Sequence, residues 1–146
     1  MHDTGPPARG DGNLRVRSLD GPESRGTGRA NAELRLPFRA EIVGTPKVNR
    51  LHGGVLASLI DAAGCYLLIA VLGKRVSTAN LVVDFLRPAH GEMLAVARLI
   101  KKGSRICNVT VDVTGPDGKL VATGRLTVVP SNVAVGEEDQ LTGGPR

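Results

Sequence analysis

A long apolar stretch that begins with a glycine pair constrains the fold of this chain more than any other part of its sequence. His52, Gly53 and Gly54 precede the run Val55–Leu72, in which bulky apolar residues recur at about 100° per residue and so share one side of a helix. Those residues are Leu56, Leu59, Ile60, Ala63, Leu67, Ala70 and Val71. Gly73 follows, as glycine commonly does at a helix C-terminus. The pattern predicts one long helix that packs on a sheet.

The opposite side of this helix carries small residues and a single acid. Its members are Gly54, Ala57, Ser58, Asp61, Gly64 and Cys65. Asp61 is the only acid between Glu41 and Asp84, and burial of an unpaired carboxylate is costly. We therefore expect Asp61 to lie at a subunit interface or in a cleft, while an ordinary solvated or helix-pairing acid is the plain alternative.

Alternating apolar and polar residues predict strands on both sides of the helix. The predicted strands are Leu14–Leu19, Ala32–Ile42 with a break at Pro37, Val76–Leu86, Met93–Lys101, Arg105–Thr114 and Leu120–Val129. Turns rich in glycine and proline separate the last four, which predicts a meander after the helix. The segment Gly44–Leu51 is predicted to be a loop. One helix with antiparallel strands is an α+β pattern.

The length of 146 residues suits a single domain. Residues 1–13 are polar and rich in glycine and proline, and they are predicted to form a disordered leader. Residues 14–130 are predicted to form the folded domain, and residues 131–146 a flexible tail. The chain has no Trp, one Tyr and two Phe, so the core must be aliphatic.

Charge and cysteine content narrow the class of protein. Residues 34–130 carry 13 Lys or Arg and six acids, which suits an anionic ligand. Non-specific nucleic-acid binding is the competing interpretation, but few aromatic residues and no known nucleic-acid motif argue against it. Cys65 and Cys107 follow no secretory signal, which indicates a reduced, cytoplasmic protein. We expect no metal, cofactor, nucleic-acid or membrane partner, because the histidines and cysteines are scattered and polar residues interrupt the apolar run.

Four strings of residues resemble a known family. They begin at His52 (HGGVLASLIDAAG), Thr78 (TANLVVDFLRPA), Lys101 (KKGSR) and Asp117 (DGKLVATG), and they are similar to those of hotdog-fold acyl-CoA thioesterases of the phenylacetic-acid-degradation type. The resemblance runs from about residue 34 to residue 130, and its most specific mark is H-G-G with an Asp nine residues after the His. It implies a hotdog fold, in which an antiparallel sheet wraps one long helix. It also implies a homo-oligomer, either a dimer or a homotetramer, with active sites between subunits.

The same resemblance implies an enzyme that hydrolyses an aryl- or medium-chain acyl-CoA to the free acid and CoA. In such an enzyme the Gly53 N–H, at the positive end of the helix dipole, polarises the thioester carbonyl. Asp61 from the other subunit acts as general base or nucleophile, and the sequence leaves that choice open. His52 is expected to position the loop. Thr78 is expected to hold the attacking water, with an ordinary strand threonine as the alternative.

One position departs from the family pattern. Many members carry Asn or Gln six residues before the His, and this chain has Pro46 there. Asn49 lies nearby and is the residue that we expect to supply the amide if the loop is rearranged. Absence of that amide favours a second hypothesis, in which the chain is a non-catalytic hotdog module that binds acyl-CoA.

Further residues are predicted to bind the substrate. Gly54 and Asn80 are among them, with Asn80 on the strand face of Thr78. Residues in two turns are expected to meet the phosphates of CoA, and these are Arg87, Lys102, Gly103, Ser104 and Arg105. Simple solvent exposure is the alternative, because basic residues are common in turns.

Overall fold

The computed structural model describes residues 14–18 and 30–136. The predicted leader and residues 137–146 of the predicted tail lie outside the described residues. Within them the structure has one α-helix, α1 (Gly53–Leu72), and the strands β1 (Leu14–Ser18), β2 (Ala30–Leu36), β3 (Val43–Thr45), β4 (Arg50–Leu51), β5 (Lys74–Phe85), β6 (Met93–Lys102), β7 (Cys107–Thr114) and β8 (Leu120–Ala134).

Six of these strands form one antiparallel sheet in the order β1–β2–β6–β7–β8–β5. The helix lies against its inner face and contacts β2 and β5–β8. This is the predicted α+β hotdog arrangement of one long helix on an antiparallel sheet. The prediction of a four-stranded meander after the helix is wrong, because β5 pairs with β8 and only β6, β7 and β8 follow one another. The helix crosses the sheet and carries the chain to the far edge, where β5 is an edge strand.

The helix ends and begins where the sequence predicts. Gly73 adopts a left-handed conformation with φ 64°, and its N–H donates to the carbonyl of Ile69 at 2.9 Å. At the other end the first helical residue is Gly53, so the helix includes the glycine pair as well as the apolar run Val55–Leu72. The first N–H groups of a helix need no partner within it, so apolar periodicity does not mark where the first turn begins.

The inner side of the helix forms the centre of the core. Its buried residues are Leu56, Leu59, Ile60, Ala63, Gly64, Leu67 and Leu68. The predictions for two residues are wrong, since Ala70 is exposed and Gly64 is buried. A Cβ at position 64 would lie 2.9 Å from Cδ2 of Leu126, so this glycine lets the helix approach β8. By length and composition alone α1 could cross a membrane, but in this fold it is the core helix.

The segment before the helix is more ordered than the predicted loop. Gly44–Leu51 includes most of the small hairpin of β3 and β4. The N–H of Leu51 donates to the carbonyl of Ala89 at 2.9 Å, and the N–H of His52 donates to the carbonyl of Ile42 at 3.1 Å. These two bonds fix the two residues that directly precede the helix.

The last strand continues beyond its predicted end at Val129. β8 pairs with β5 as far as Ala134 opposite Lys74, so the prediction of a flexible tail is wrong for residues 131–134. The N–H of Val135 donates to the carbonyl of Gly73 at 3.0 Å. The end of the sheet is thereby tied to the end of the helix.

Gly124 of β8 packs closely against the helix. A substitution at this position tests the packing of the sheet on the helix. A Cβ at this position would overlap Cγ2 of Ile60, a residue that is fully buried. We expect Gly124→Ala to lower the free energy of unfolding by about 1–3 kcal/mol, because Ile60 has no room to move. Chemical denaturation followed by circular dichroism measures this. In the matched control, Gly54→Ala, the new Cβ has nothing within 4 Å, and we expect no loss of stability. Equal losses in the two variants would contradict the packing argument.

Candidate active site

Asp61 and Thr78 meet between the helix and the edge strand. Asp61 is half-buried near the middle of α1, and the Thr78 hydroxyl donates to its Oδ1 at 2.6 Å. Thr78 lies opposite Val128, which is fully buried on the inner face of the sheet, so its side chain points towards the helix. The structure thus brings two of the predicted site residues together within one protomer.

Asn80 does not join them. The register of β5 against β8 shifts between Thr78, which pairs with Val128, and Asn80, which pairs with Thr127. Consecutive residues of β8 point to opposite faces, so Thr78 and Asn80 do as well. The prediction that Asn80 shares the face of Thr78 is wrong, because the extra residue Ala79 in a β-bulge reverses the alternation.

Cys65 is a third side chain at this point, where the sequence predicts only a small residue on the helix side that carries Asp61. Its Sγ lies 3.2 Å from Oγ1 of Thr78 and 3.9 Å from Oδ1 of Asp61. The signal available in the sequence was its spacing of one helical turn after Asp61. Burial raises the pKa of the Cys65 thiol; the hydrogen bond with Thr78 lowers it, and the charge of Asp61 raises it further. The thiol is therefore protonated at neutral pH.

Gly53 lies at the N-terminus of the helix, about two turns before Asp61. As the first helical residue it has an N–H with no acceptor inside the helix, and the dipole adds a partial positive charge there. The ring of Phe85 lies beside it, 3.3 Å from where a Cβ would be. Eight residues separate Gly53 from Asp61, a distance of about 12 Å along a helix axis. A carbonyl bound at the Gly53 N–H is therefore too far from the Asp61 carboxylate of the same chain for direct contact.

His52 and Asn49 belong to the segment before the helix. The His52 ring packs against Gly44, where a Cβ would lie 2.7 Å from Nδ1. Asn49 has left-handed backbone with φ 50°, and its carbonyl lies 3.3 Å from Nδ1 of His90. Within residues 30–136 the Asp61 carboxylate accepts a hydrogen bond from Thr78 and lies 3.9 Å from Sγ of Cys65, and Asn49 does not bond to it. The loop before the helix therefore does not bring the Asn49 amide to Asp61 of the same chain.

The basic turn between β6 and β7 lies level with Thr78 in the sheet. One row of paired residues runs from Lys102 through Cys107 and Val128 to Thr78. Three strand spacings correspond to about 14 Å, so the exposed turn Lys102–Arg105 stands beside the site rather than in it. Arg87, two residues after the end of β5, donates from Nη1 to the carbonyl of Leu120 at 2.8 Å.

These groups define what chemistry the middle of the helix and its N-terminus can support. Asp61 has Oδ1 held by Thr78, which leaves Oδ2 to accept a proton or attack a carbon. A carboxylate in a half-buried position with one fixed oxygen suits general-base or nucleophilic chemistry. The Gly53 end offers an N–H for a developing oxyanion. In the part of the chain that the structure describes, no three His, Cys, Asp or Glu side chains are placed to hold a metal ion.

Comparisons with known proteins identify the family to which this chain is similar. A sequence profile described as the thioesterase superfamily matches residues 49–122. A predicted esterase of Halobacterium salinarum is 33% identical over 108 residues, covering 70% of this chain and 68% of the relative. Acyl-coenzyme A thioesterase 13 of Mus musculus is 29% identical over 102 residues, which cover 67% of this chain and 73% of that protein. A phenylacetic acid degradation-related protein of Ralstonia eutropha, a predicted thioesterase, matches in structure with a TM-score of 0.63 and 34% identity, covering 68% of this chain and 75% of the other.

Proposed function

Because the chain belongs to the thioesterase superfamily and has its hotdog fold, we propose that it hydrolyses the thioester of an aryl- or medium-chain acyl-CoA to a carboxylic acid and CoA. The observation that carries the proposal is the 2.6 Å hydrogen bond from Thr78 to Asp61 between helix and edge strand. That bond holds the lone acid of an otherwise uncharged helix in one orientation, where it can serve a reaction.

In the proposed reaction Asp61 takes a proton from a water molecule, and the water oxygen bonds to the thioester carbon. The carbonyl oxygen becomes negative and is stabilised by the N–H of the partner subunit's Gly53. The C–S bond then breaks, and the CoA sulfur leaves with a proton returned from Asp61. In the other route Oδ2 of Asp61 attacks the thioester carbon, the CoA thiolate leaves, and water hydrolyses the resulting mixed anhydride. A single turnover in heavy-oxygen water that labels Asp61 and leaves the product acid unlabelled identifies this route, with water attacking the anhydride at the Asp61 carbonyl.

The proposed enzyme is a homo-oligomer. The separation of about 12 Å between Gly53 and Asp61 supports this, since one reacting carbonyl needs both. The edge strand β5 supports it too, because an unpaired edge is a template for a second strand. Large apolar side chains near this edge are exposed in the protomer, and they are Tyr66, Val82, Phe85 and Leu86. We propose a dimer through β5 as the catalytic unit and a homotetramer as a pair of such dimers.

The CoA end of the substrate is proposed to lie along the basic turn. Lys102 and Arg105 are exposed and positive, and the row of paired residues brings them level with Thr78. Gly103 and Ser104 complete this turn. Gly54, exposed at the helix start, leaves space for the acyl thioester near Gly53. Arg87 is proposed as a further phosphate contact, although its bond to Leu120 already holds one of its nitrogens.

We propose the cytoplasm as the compartment. Cys65 and Cys107 are both free thiols in the fold. Free thiols persist in the reducing cytosol, whereas structural disulfides are typical of secreted proteins. The long apolar helix is the core helix, so it gives no reason to place the protein in a membrane.

Thiol release from a panel of thioesters tests the proposal. Aryl-acetyl, benzoyl and medium-chain acyl-CoAs are compared with the matching acyl-N-acetylcysteamine thioesters, which lack the nucleotide. We expect turnover of at least one acyl-CoA and a higher KM for its short analogue, because the basic turn loses its phosphate partners. Equal KM values would contradict the placement of CoA along the turn.

A non-catalytic acyl-CoA-binding module is the second candidate. Pro46 replaces an amide that the family often carries, and Asn49 does not reach Asp61 within the protomer. Calorimetry that detects acyl-CoA binding in a protein that releases no thiol from any member of the panel would favour this module over the enzyme.

A further inference from the structure

Cys65 contacts both members of the Asp61–Thr78 pair, although the proposed reaction assigns it no step. Its Sγ lies 3.2 Å from Oγ1 of Thr78 and 3.9 Å from Oδ1 of Asp61, and the residue is half-buried. The three side chains come from two elements, α1 and β5. The contact therefore depends on how the helix sits on the strand, and not on the helix alone.

The direction of the hydrogen bonds is fixed by proton count. The Thr78 hydroxyl has one proton, and a carboxylate can only accept. The 2.6 Å bond to Asp61 uses that proton, so the oxygen of Thr78 can only accept from a further partner. At 3.2 Å the Cys65 thiol must then be the donor. The arrangement is a chain from the S–H of Cys65 through the O–H of Thr78 to Asp61.

The protonation state of the thiol agrees with this direction. Burial is the largest influence on the Cys65 pKa and raises it; the contact with Thr78 acts in the opposite sense, the negative charge of Asp61 raises the pKa as well, and the net change is a rise. The nucleophilic form of a cysteine is the thiolate. A thiol whose pKa is raised is a donor at neutral pH and a poor nucleophile, so Cys65 is suited to hold other groups in place.

We propose that Cys65 is a positioning residue, whose S–H donates to Thr78 and keeps the Thr78 hydroxyl directed at Oδ1 of Asp61. This inference rests on the proposed function. Without that donor the hydroxyl is free to rotate about its C–O bond and to release Asp61. With it, Oδ1 is committed to Thr78, and Oδ2 is the oxygen that faces the water or the substrate.

Kinetics of three variants separate hydrogen bonding from volume. We expect Cys65→Ala and Cys65→Val to lower kcat about threefold to tenfold with KM unchanged, since one weak hydrogen bond is lost and no substrate contact is touched. Cys65→Ser keeps a donor and is expected to recover most of the loss. A kcat at the parent value in Cys65→Val, or a serine variant no better than the valine variant, overturns the positioning role.

An infrared measurement tests the same bond without any activity. The S–H stretching band of Cys65, assigned by its absence in the Cys65→Ala protein, is expected at the lower frequency of a bonded thiol and to move in Thr78→Val. A band of a free thiol that Thr78→Val leaves in place overturns the inference whatever the kinetics show. If the band moves but no acyl-CoA is hydrolysed, the bond is confirmed and the positioning role fails together with the proposed function.

Discussion

Asp61→Asn is expected to lower kcat for the best acyl-CoA substrate by at least about a hundredfold, because a positioned acid–base group commonly contributes 10²–10⁴ in rate. The substitution is close to isosteric. The amide oxygen of asparagine can still accept the hydrogen bond that the Thr78 hydroxyl donates to Oδ1 at 2.6 Å. The helix and its contact with β5 are therefore retained, and the variant loses the negative charge and the basicity. Steady-state thiol release, with circular dichroism to check the fold, measures the effect.

Asp112→Asn is the matched control for this prediction. Asp112 lies on β7, on the outer face of the sheet between the fully buried Val111 and Val113, and it forms an exposed ion pair with Arg98 at 3.0 Å. The same change of charge at that position is expected to leave kcat within about twofold of the parent, because an exposed ion pair away from the site contributes little. If Asp61→Asn is as active as Asp112→Asn, Asp61 is not the base or nucleophile.

Local patterns in the sequence are sufficient to predict the helix and the strands of the main sheet, but not the pairing of those strands or the small hairpin of β3 and β4. The helical run Val55–Leu72 follows from apolar periodicity, and the end of the helix follows from Gly73, which adopts a left-handed conformation. The place of β5 does not follow, because a strand at the edge and a strand in a meander carry the same alternation. The edge position of β5 is decided by the helix, which carries the chain across the sheet to β8.

The site shows the same limit. Asp61 is visible in the sequence because it is the lone acid in an apolar helix, and Thr78 because its string resembles a family. Asn80 was misplaced because the bulge at Ala79 is set by pairing with β8, which local alternation does not show. Cys65 was missed as a site residue because its importance depends on Thr78, a contact between helix and strand.

Gly53→Pro is also expected to have a large effect on kcat, because it removes the backbone N–H of this residue. Proline has no N–H, and it is favoured at the first helical position, where the N–H has no helical partner. His52 already has φ −61° and ψ 138°, the extended backbone that a residue before proline adopts. The Phe85 ring, 56% exposed, has space to move from the new ring. We expect kcat to fall about 10²–10³-fold, as for loss of an oxyanion donor.

Gly53→Ala is the control, because it adds the same Cβ beside Phe85 and keeps the N–H. Its kcat is expected to exceed that of Gly53→Pro by at least about tenfold. Thermal unfolding of both proteins reports whether the helix start is retained. If the alanine variant is as inactive as the proline variant, the contact with Phe85 explains the loss and the N–H does not.

Mixing the two defects shows whether one site takes Gly53 and Asp61 from different subunits. Gly53→Pro and Asp61→Asn chains are coexpressed with different tags, and the mixed dimer is purified through both. If each site lies between subunits, one of the two sites in the mixed dimer combines an intact Gly53 with an intact Asp61. Activity then returns to about half of the parent value. If both groups serve the site of their own protomer, each protomer of the mixed dimer is defective and no activity returns. The separation of the two residues on one helix, about 12 Å, predicts recovery.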